Sequence, residues 1–332
     1  MLGSVDDEED KCALRLVCKR TRAIVDSRVV AVRGGALYEP GAEQLLSALV
    51  RAPWRLQRED LGTESGMGHI LGLAGAAALA AARWPALKKL YLRLNSVGPA
   101  GAAALAAAPW PALEVLHLDQ NSIGPAGAAS LAEAPWPNLQ VLSLGGSKVG
   151  PAGATALAAA RWPALRELHL GDNSVGPAGA ASLAAARWPL LQVLYLGYNQ
   201  LGPAGMASLA TARWPELQVL SLDRNKLGPA GVATLAAAHW PALKQLSLDK
   251  NRLCDADAAT LATGRWPDLK RLCLDNNSIG PEGVEALAAT AHWRALQFVS
   301  LNQNGISDDD CGPLKIGWPT VWIACYDSMH DV

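Results

Sequence analysis

The chain has 332 residues, a formal net charge of −1 and 50% hydrophobic residues, which is ample material for a core and no basic excess of the kind nucleic-acid binding requires. No apolar stretch reaches the ~18 residues of a membrane span, because Gly-Pro and Trp-Pro pairs interrupt the alanine runs. The six cysteines (Cys12, Cys18, Cys254, Cys273, Cys311 and Cys325) form no close zinc-type pair, which points to a reducing compartment, the cytoplasm or else the nucleus, with mostly buried or idle thiols.

Taken in chain order, Met1 to Asp10 is acidic and lacks the apolar region of a signal peptide. Leu14 to Val25 predicts an amphipathic helix with Leu14, Val17, Cys18 and Ile24 toward one side. The string Leu14-Arg15-Leu16-Val17-Cys18-Lys19-Arg20, followed by Arg22-Ala23, resembles the second half of an F-box. Thr21 stands where that family usually has tryptophan, and the family's first half, a Leu-Pro start and an apolar helix, does not precede the match. The resemblance makes residues 1–33 a truncated F-box-like segment. It implies contact with the adaptor of a cullin–RING ubiquitin ligase through Leu14, Leu16, Val17 and Cys18. The other reading of these residues is a helical cap over the first coil.

Residues 34–83 read as an N-terminal capping region with a degenerate repeat. Gly72 to Ala82 predicts a helix, whereas Gln57 to Gly68 lacks a leucine pattern and reads as an irregular loop.

Residues 84–309 hold nine repeats of period 26, the last of 27. Asn95, Asn121, Asn173, Asn199, Asn225, Asn251, Asn277 and Asn304 mark one column, with Ser147 in the gap. Trp84, Trp110, Trp136, Trp162, Trp188, Trp214, Trp240, Trp266 and Trp293 mark another. Each unit predicts strand, turn, short helix, turn. In the first, Leu90 and Leu92 point to one face of a strand and Lys89, Tyr91 and Arg93 to the other. Asn95 ends the strand with an amide able to satisfy turn backbone. Gly98-Pro99 opens an alanine helix anchored by Leu105. The tryptophans are expected as a packed spine at the helix-to-strand corner.

The Leu-x-x-Leu-x-Leu-x-x-Asn pattern and Gly98-Pro99-Ala100-Gly101-Ala102-Ala103-Ala104-Leu105-Ala106 resemble leucine-rich repeats of the ribonuclease-inhibitor-like and GALA types. The resemblance implies an α/β leucine-rich-repeat solenoid, a horseshoe with a parallel β-sheet on the concave face and short helices on the convex face. Residues 310–332 then form a C-terminal cap, with Val321, Ala324 and Tyr326 in the leucine positions of a final strand. Asp308, Asp309 and Asp310 favour a short helix N-terminus there.

Function is expected on the concave face, where side chains vary from unit to unit. The candidate partner-binding residues are Lys89, Tyr91, Arg93, His117, Asp119, His169, Asp172, Tyr195, Tyr198, Asp223, Arg224, Asp249, Lys250 and Asp275. Gly145, Gly171 and Gly197 leave a shallow gap. The aspartates after it form an acidic stripe that repels itself unless opposite charge, from Arg224 and Lys250, lies nearby. His117 and His169 lie two coils apart, too far to share zinc without a ligand between them, and Ser143 is a poor one.

There is no Gly-x-Ser-x-Gly elbow, phosphate loop or His-Glu-x-x-His, so no catalytic, cofactor or metal site is expected. The leading expectation is a monomeric, non-enzymatic scaffold binding a protein partner, with a role as the substrate-recognition subunit of a cullin–RING ligase. The alternatives are a regulator of a small GTPase, resembling Ran GTPase-activating proteins, and a plain repeat scaffold.

Overall fold

The computed structural model describes residues 71–81, 84–290 and 292–326, together with the backbone of three short strands at 24–26, 29–31 and 58–60. Leu14, Leu16, Val17 and Cys18 lie outside the described residues. The chain divides into two compact units, Met1–Ser147 and Lys148–Val332.

In the first unit, β1 (Ile24–Asp26) pairs antiparallel with β2 (Val29–Ala31). The helix expected through Val25 therefore does not extend over Ile24–Asp26. The β-branched residues Ile24, Val25, Val29 and Val30 favour a pleated ribbon. Next comes β3 (Arg58–Asp60), parallel to both β2 and β4 (Lys89–Tyr91). At Arg58–Asp60 this strand corrects the irregular loop expected over Gln57 to Gly68, since ladder pairing uses backbone groups and needs no leucines. α1 (Gly72–Ala81), α2 (Gly98–Ala106), β5 (Val115–His117), α3 (Gly124–Ala132) and β6 (Val141–Ser143) complete the unit, with β4, β5 and β6 parallel and in register at the 26-residue period.

The second unit repeats the theme. α4 (Gly150–Ala158), α5 (Gly176–Ala184), α6 (Gly202–Leu209), α7 (Gly228–Ala237), α8 (Asp255–Leu261), α9 (Pro281–Ala288) and α10 (Gly312–Gly317) alternate with seven strands. These are β7 (Glu167–His169), β8 (Val193–Tyr195), β9 (Val219–Ser221), β10 (Gln245–Ser247), β11 (Arg271–Cys273), β12 (Phe298–Ser300) and β13 (Trp322–Ala324), all parallel.

Each coil buries its leucines between strand and helix; Leu87, Leu90, Leu92 and Leu105 are fully buried in the first. Gly98 has φ +64°, a left-handed turn that lets Pro99 start α2. Gly127 lies so close to α2 that an added Cβ would sit 3.1 Å from the Pro99 Cα and from the Ala102 Cβ, which is why this helix position is small. Where Cys254 replaces the turn glycine, its φ is −111°, and a capping box with the Asp257 carboxylate starts the shorter α8 instead.

The asparagine column is a hydrogen-bond ladder. Asn121 Oδ1 accepts the N–H groups of Asn95 (2.9 Å) and Val97 (3.2 Å) from the preceding coil, and its Nδ2 donates to Leu92 O (2.6 Å) and Asp119 O (3.1 Å). Ser147 substitutes on a smaller scale: its hydroxyl accepts the Asn121 N–H (3.3 Å) and donates to Leu118 O (2.8 Å). The column tryptophans from Trp84 to Trp293 are buried, with parallel rings at Trp84–Trp110 (centroids 6.4 Å apart) and Trp266–Trp293 (6.1 Å).

The final strand differs from its expected register. Phe298 pairs with Trp322, Val299 with Ile323 and Ser300 with Ala324. One residue fewer separates Trp318 from this strand than in other coils, and a one-residue slip exchanges faces. Cys325 is therefore buried, while Trp322 and Tyr326 are exposed. The Cys311 and Cys325 sulfur atoms lie side by side.

Candidate functional site

The odd residues of each three-residue strand lie on the sheet face opposite the helices. In the first unit this brings Lys89, Tyr91, His117 and Asp119 together, with Arg93 exposed just beyond β4. The Tyr91 and His117 rings pack at 4.8 Å, and His117 Nδ1 lies 3.8 Å from Asp119 Oδ2. The other oxygen of Asp119 accepts the Ser143 hydroxyl (2.5 Å) and the Gly145 N–H (2.9 Å).

In the second unit the His169 ring meets Tyr195 edge-on at 4.6 Å, and its Nε2 lies 3.6 Å from Glu167 Oε2. Tyr195 is 39% exposed and Tyr198 48%. Gly171 and Gly197 lie beside them with ordinary clearance for a Cβ, so their effect is a low floor between aromatic walls. The Arg224 guanidinium stacks over Tyr198 at 4.6 Å.

Asp172, Tyr198, Arg224 and Lys250 all have left-handed backbone, with φ of 56°, 60°, 53° and 58°. Each precedes a ladder asparagine, so the ladder that holds the coils also aims these side chains. The expected acidic stripe is present, but its neutralising partners differ from expectation. Asp223 accepts the Ser221 hydroxyl (2.6 Å), the Ser247 hydroxyl and the Asp249 N–H (3.0 Å). Asp249 accepts the Asp275 N–H (2.8 Å), and Asp275 accepts the Ser300 hydroxyl (2.5 Å) and the Asn302 N–H (2.8 Å). The aspartates thus form a second ladder, bonded chiefly to hydroxyls and backbone; Arg224 stacks on Tyr198, and the Asp275 N–H and then Lys250 hold the Asp249 pKa down.

Burial, followed by the neighbouring Asp223 and then Asp275, pushes the Asp249 carboxyl up to about 6. The same surroundings, burial first, then Asp249 and Asp275, push the Cys273 thiol up to about 11, which keeps it protonated and poorly nucleophilic at neutral pH.

A raised pKa in the fold means that the native state binds the proton more tightly than the unfolded chain. Stability therefore falls as pH rises from about 4 to about 6 and stays reduced above that. Asp249→Asn keeps an acceptor for the Asp275 N–H and removes the charge. We expect it to add about 1 kcal/mol at pH 7, after allowance for solvent screening, and nothing below pH ~4. Urea midpoints at both pH values test this, and equal shifts at the two would mean that the charge on the half-buried Asp249 carboxylate is not the cause.

Beyond the predicted residues, a further stacked set occupies the end of the same face. Arg271 lies 4.3 Å over the Phe298 ring, Phe298 meets Trp322 edge-on at 5.6 Å, and Trp322 is 72% exposed. Arg271 and Phe298 open β11 and β12 as Lys89 opens β4, so the repeat carries them to this face. The register slip is what concealed Trp322.

Six segments, 85–106, 111–132, 137–158, 163–184, 189–210 and 267–288, match the Leucine Rich repeat family model. The chain carries leucine-rich repeats, and its coils have the architecture of a leucine-rich-repeat solenoid. No curated protein matches the sequence. Among solved structures, the fold is similar to a chain in the crystal structure of the Rad7 and Elc1 complex in yeast. The two are 15% identical with a TM-score of 0.54, and the match covers 98% of this chain and 91% of that one. No described helix is long and apolar enough to cross a membrane.

Proposed function

We propose that this protein is a non-enzymatic recognition scaffold that binds a protein partner on the exposed face of its sheet, and that residues 1–33 dock it to the adaptor of a cullin–RING ubiquitin ligase. One observation carries the first part. Tyr195 and Tyr198 stand exposed beside a glycine floor, on a face where the Asp223, Asp249 and Asp275 carboxylates are already bonded internally. Tyrosines presented this way offer large contact area at small entropic cost, as interface anchors do. His169, Asp172, Arg224 and Lys250 would border that contact, and Tyr91, His117, Lys89 and Arg93 would form the corresponding patch of the first unit.

The second part is supported by the F-box-like string at Leu14 to Arg20 and by the likeness to a chain from an assembly, the Rad7 and Elc1 complex.

Co-precipitation with the full chain tests both parts. Tyr195→Ala with Tyr198→Ala is expected to weaken the face-bound partner ~30-fold or more, at about 1 kcal/mol or more per anchor, and to leave adaptor recovery unchanged. Val17→Asp should do the reverse. Undiminished partner binding by the double variant would displace the contact from this face, and failure of the unaltered chain to recover adaptor would remove the ligase role.

A further inference from the structure

The residue just before each tryptophan forms a column at the corner where helix gives way to strand. From Trp162 to Trp266 in the second unit it reads Arg161, Arg187, Arg213, His239 and Arg265. All five are exposed, and none makes an ion pair or a side-chain hydrogen bond among the described residues. In the first unit the same position holds Arg83, Pro109 and Pro135. The coils at Trp110 and Trp136 therefore close without a cation there, so closing the coil does not require the arginines.

Two open clefts lie along the column. One, of about 510 Å³, is lined by Ala158 to Ala160, Trp162 and Pro163, with Arg161 and Arg187 at its sides. The other, of about 540 Å³, is lined by Ala184 to Ala186, Trp188 and Pro189, with Arg187 and Arg213. Arg187 borders both, and Leu190, next to Pro189, is itself exposed.

We infer that this corner is a second docking surface, separate from the sheet face, for an acidic polypeptide segment lying along the coils. Successive arginines are about 5–10 Å apart, between the strand and helix spacings. An extended peptide advances ~3.3 Å per residue, so carboxylates two or three residues apart meet successive guanidinium groups, which bind them in a bidentate fork. The residues between them present apolar side chains to the alanine-lined clefts.

Charge distribution favours a polypeptide over nucleic acid. The cations form a single line on a chain of net charge −1, and Glu216 and Asp268 stand exposed two residues past Trp214 and Trp266. A polyphosphate backbone needs a broad positive field instead.

The test is fluorescence anisotropy on the full chain. The probe is a labelled peptide of repeating Glu-Gly-Leu, about 15 residues long and so able to cross several coils, set against single-stranded DNA of matched length. The peptide is expected to bind at low salt, to weaken with added salt as exposed charge pairs do, and to lose ~10-fold or more in affinity with Arg161→Glu, Arg187→Glu and Arg213→Glu combined. Tyr195→Ala should leave it unchanged, and a single Arg187→Glu should show an intermediate loss, so that a folding defect in the triple variant cannot decide the outcome. No peptide binding at low salt, affinity unaffected by charge reversal, or tighter binding of DNA than of peptide would each overturn the inference.

Discussion

Asn225→Ala is expected to cost about 3–4 kcal/mol, among the largest effects of any single substitution in the chain. The side chain is fully buried and serves two coils at once. Its Oδ1 accepts the N–H groups of Asn199 (3.1 Å) and Leu201 (3.2 Å), and its Nδ2 donates to Leu196 O (2.8 Å) and Asp223 O (3.2 Å). Truncation leaves these backbone groups buried and unpaired, at about 1–3 kcal/mol each before relaxation. It also frees a strained turn, because Arg224 and Lys226 on either side have φ of 53° and 55°. Asn225→Ser should cost roughly half as much, since Ser147 already fills this role in one coil with one accepted and one donated bond. Urea unfolding followed by tryptophan fluorescence measures the totals. Hydrogen exchange should show lost protection concentrated at Asn199, Leu201 and their neighbours; a loss spread evenly over the second unit would mean that the ladder is not a local clamp.

That ladder shows why so much of the fold was legible in the sequence. An asparagine recurring every 26 residues can be explained only by backbone that needs the same amide in every coil, and the leucine spacing then fixes the strand faces. Where the repeat is intact, the strands, turns and helices follow. Where it decays, reading fails for specific reasons. Arg58–Asp60 joins the sheet through backbone pairing that leaves no mark on side-chain pattern, and Trp322 changes face because one residue is missing before β13. The candidate site is intermediate. Its columns could be written down from the period, but three-dimensional neighbours decided their chemistry. The aspartates read as a bare acidic stripe until Ser221, Ser247 and Ser300 were seen to donate to them. Arg224 read as their counter-ion until it was found over Tyr198. The arginines before the tryptophans are silent in the sequence, because exposed charged residues beside a core position are the ordinary state of a protein surface.

The tryptophan column supplies the second large effect and a sharper distinction. Trp214 is 1% exposed, and its indole Nε1–H is buried with no hydrogen-bond partner, as are those of the other tryptophans from Trp84 to Trp266. Trp293 differs: its Nε1 donates to Gly264 O at 2.8 Å. Trp214→Ala opens a large cavity in the corner of one coil and should cost about 4 kcal/mol. Trp214→Phe removes ring area but also removes a buried unpaired N–H, two contributions of opposite sign and comparable size, so its net cost should fall below about 1 kcal/mol. Trp293→Phe loses a made hydrogen bond as well as area, although Gly264 O retains its contact with His292 Nε2 at 2.8 Å, so it should cost about 1 kcal/mol more than the equivalent change at Trp214. The spine is then held by packing at its centre and by hydrogen bonding toward its end. Matched urea midpoints of the two phenylalanine variants decide this. Equal costs would show that the Trp214 indole N–H has an acceptor in solution and that the column is a polar ladder like that of the asparagines.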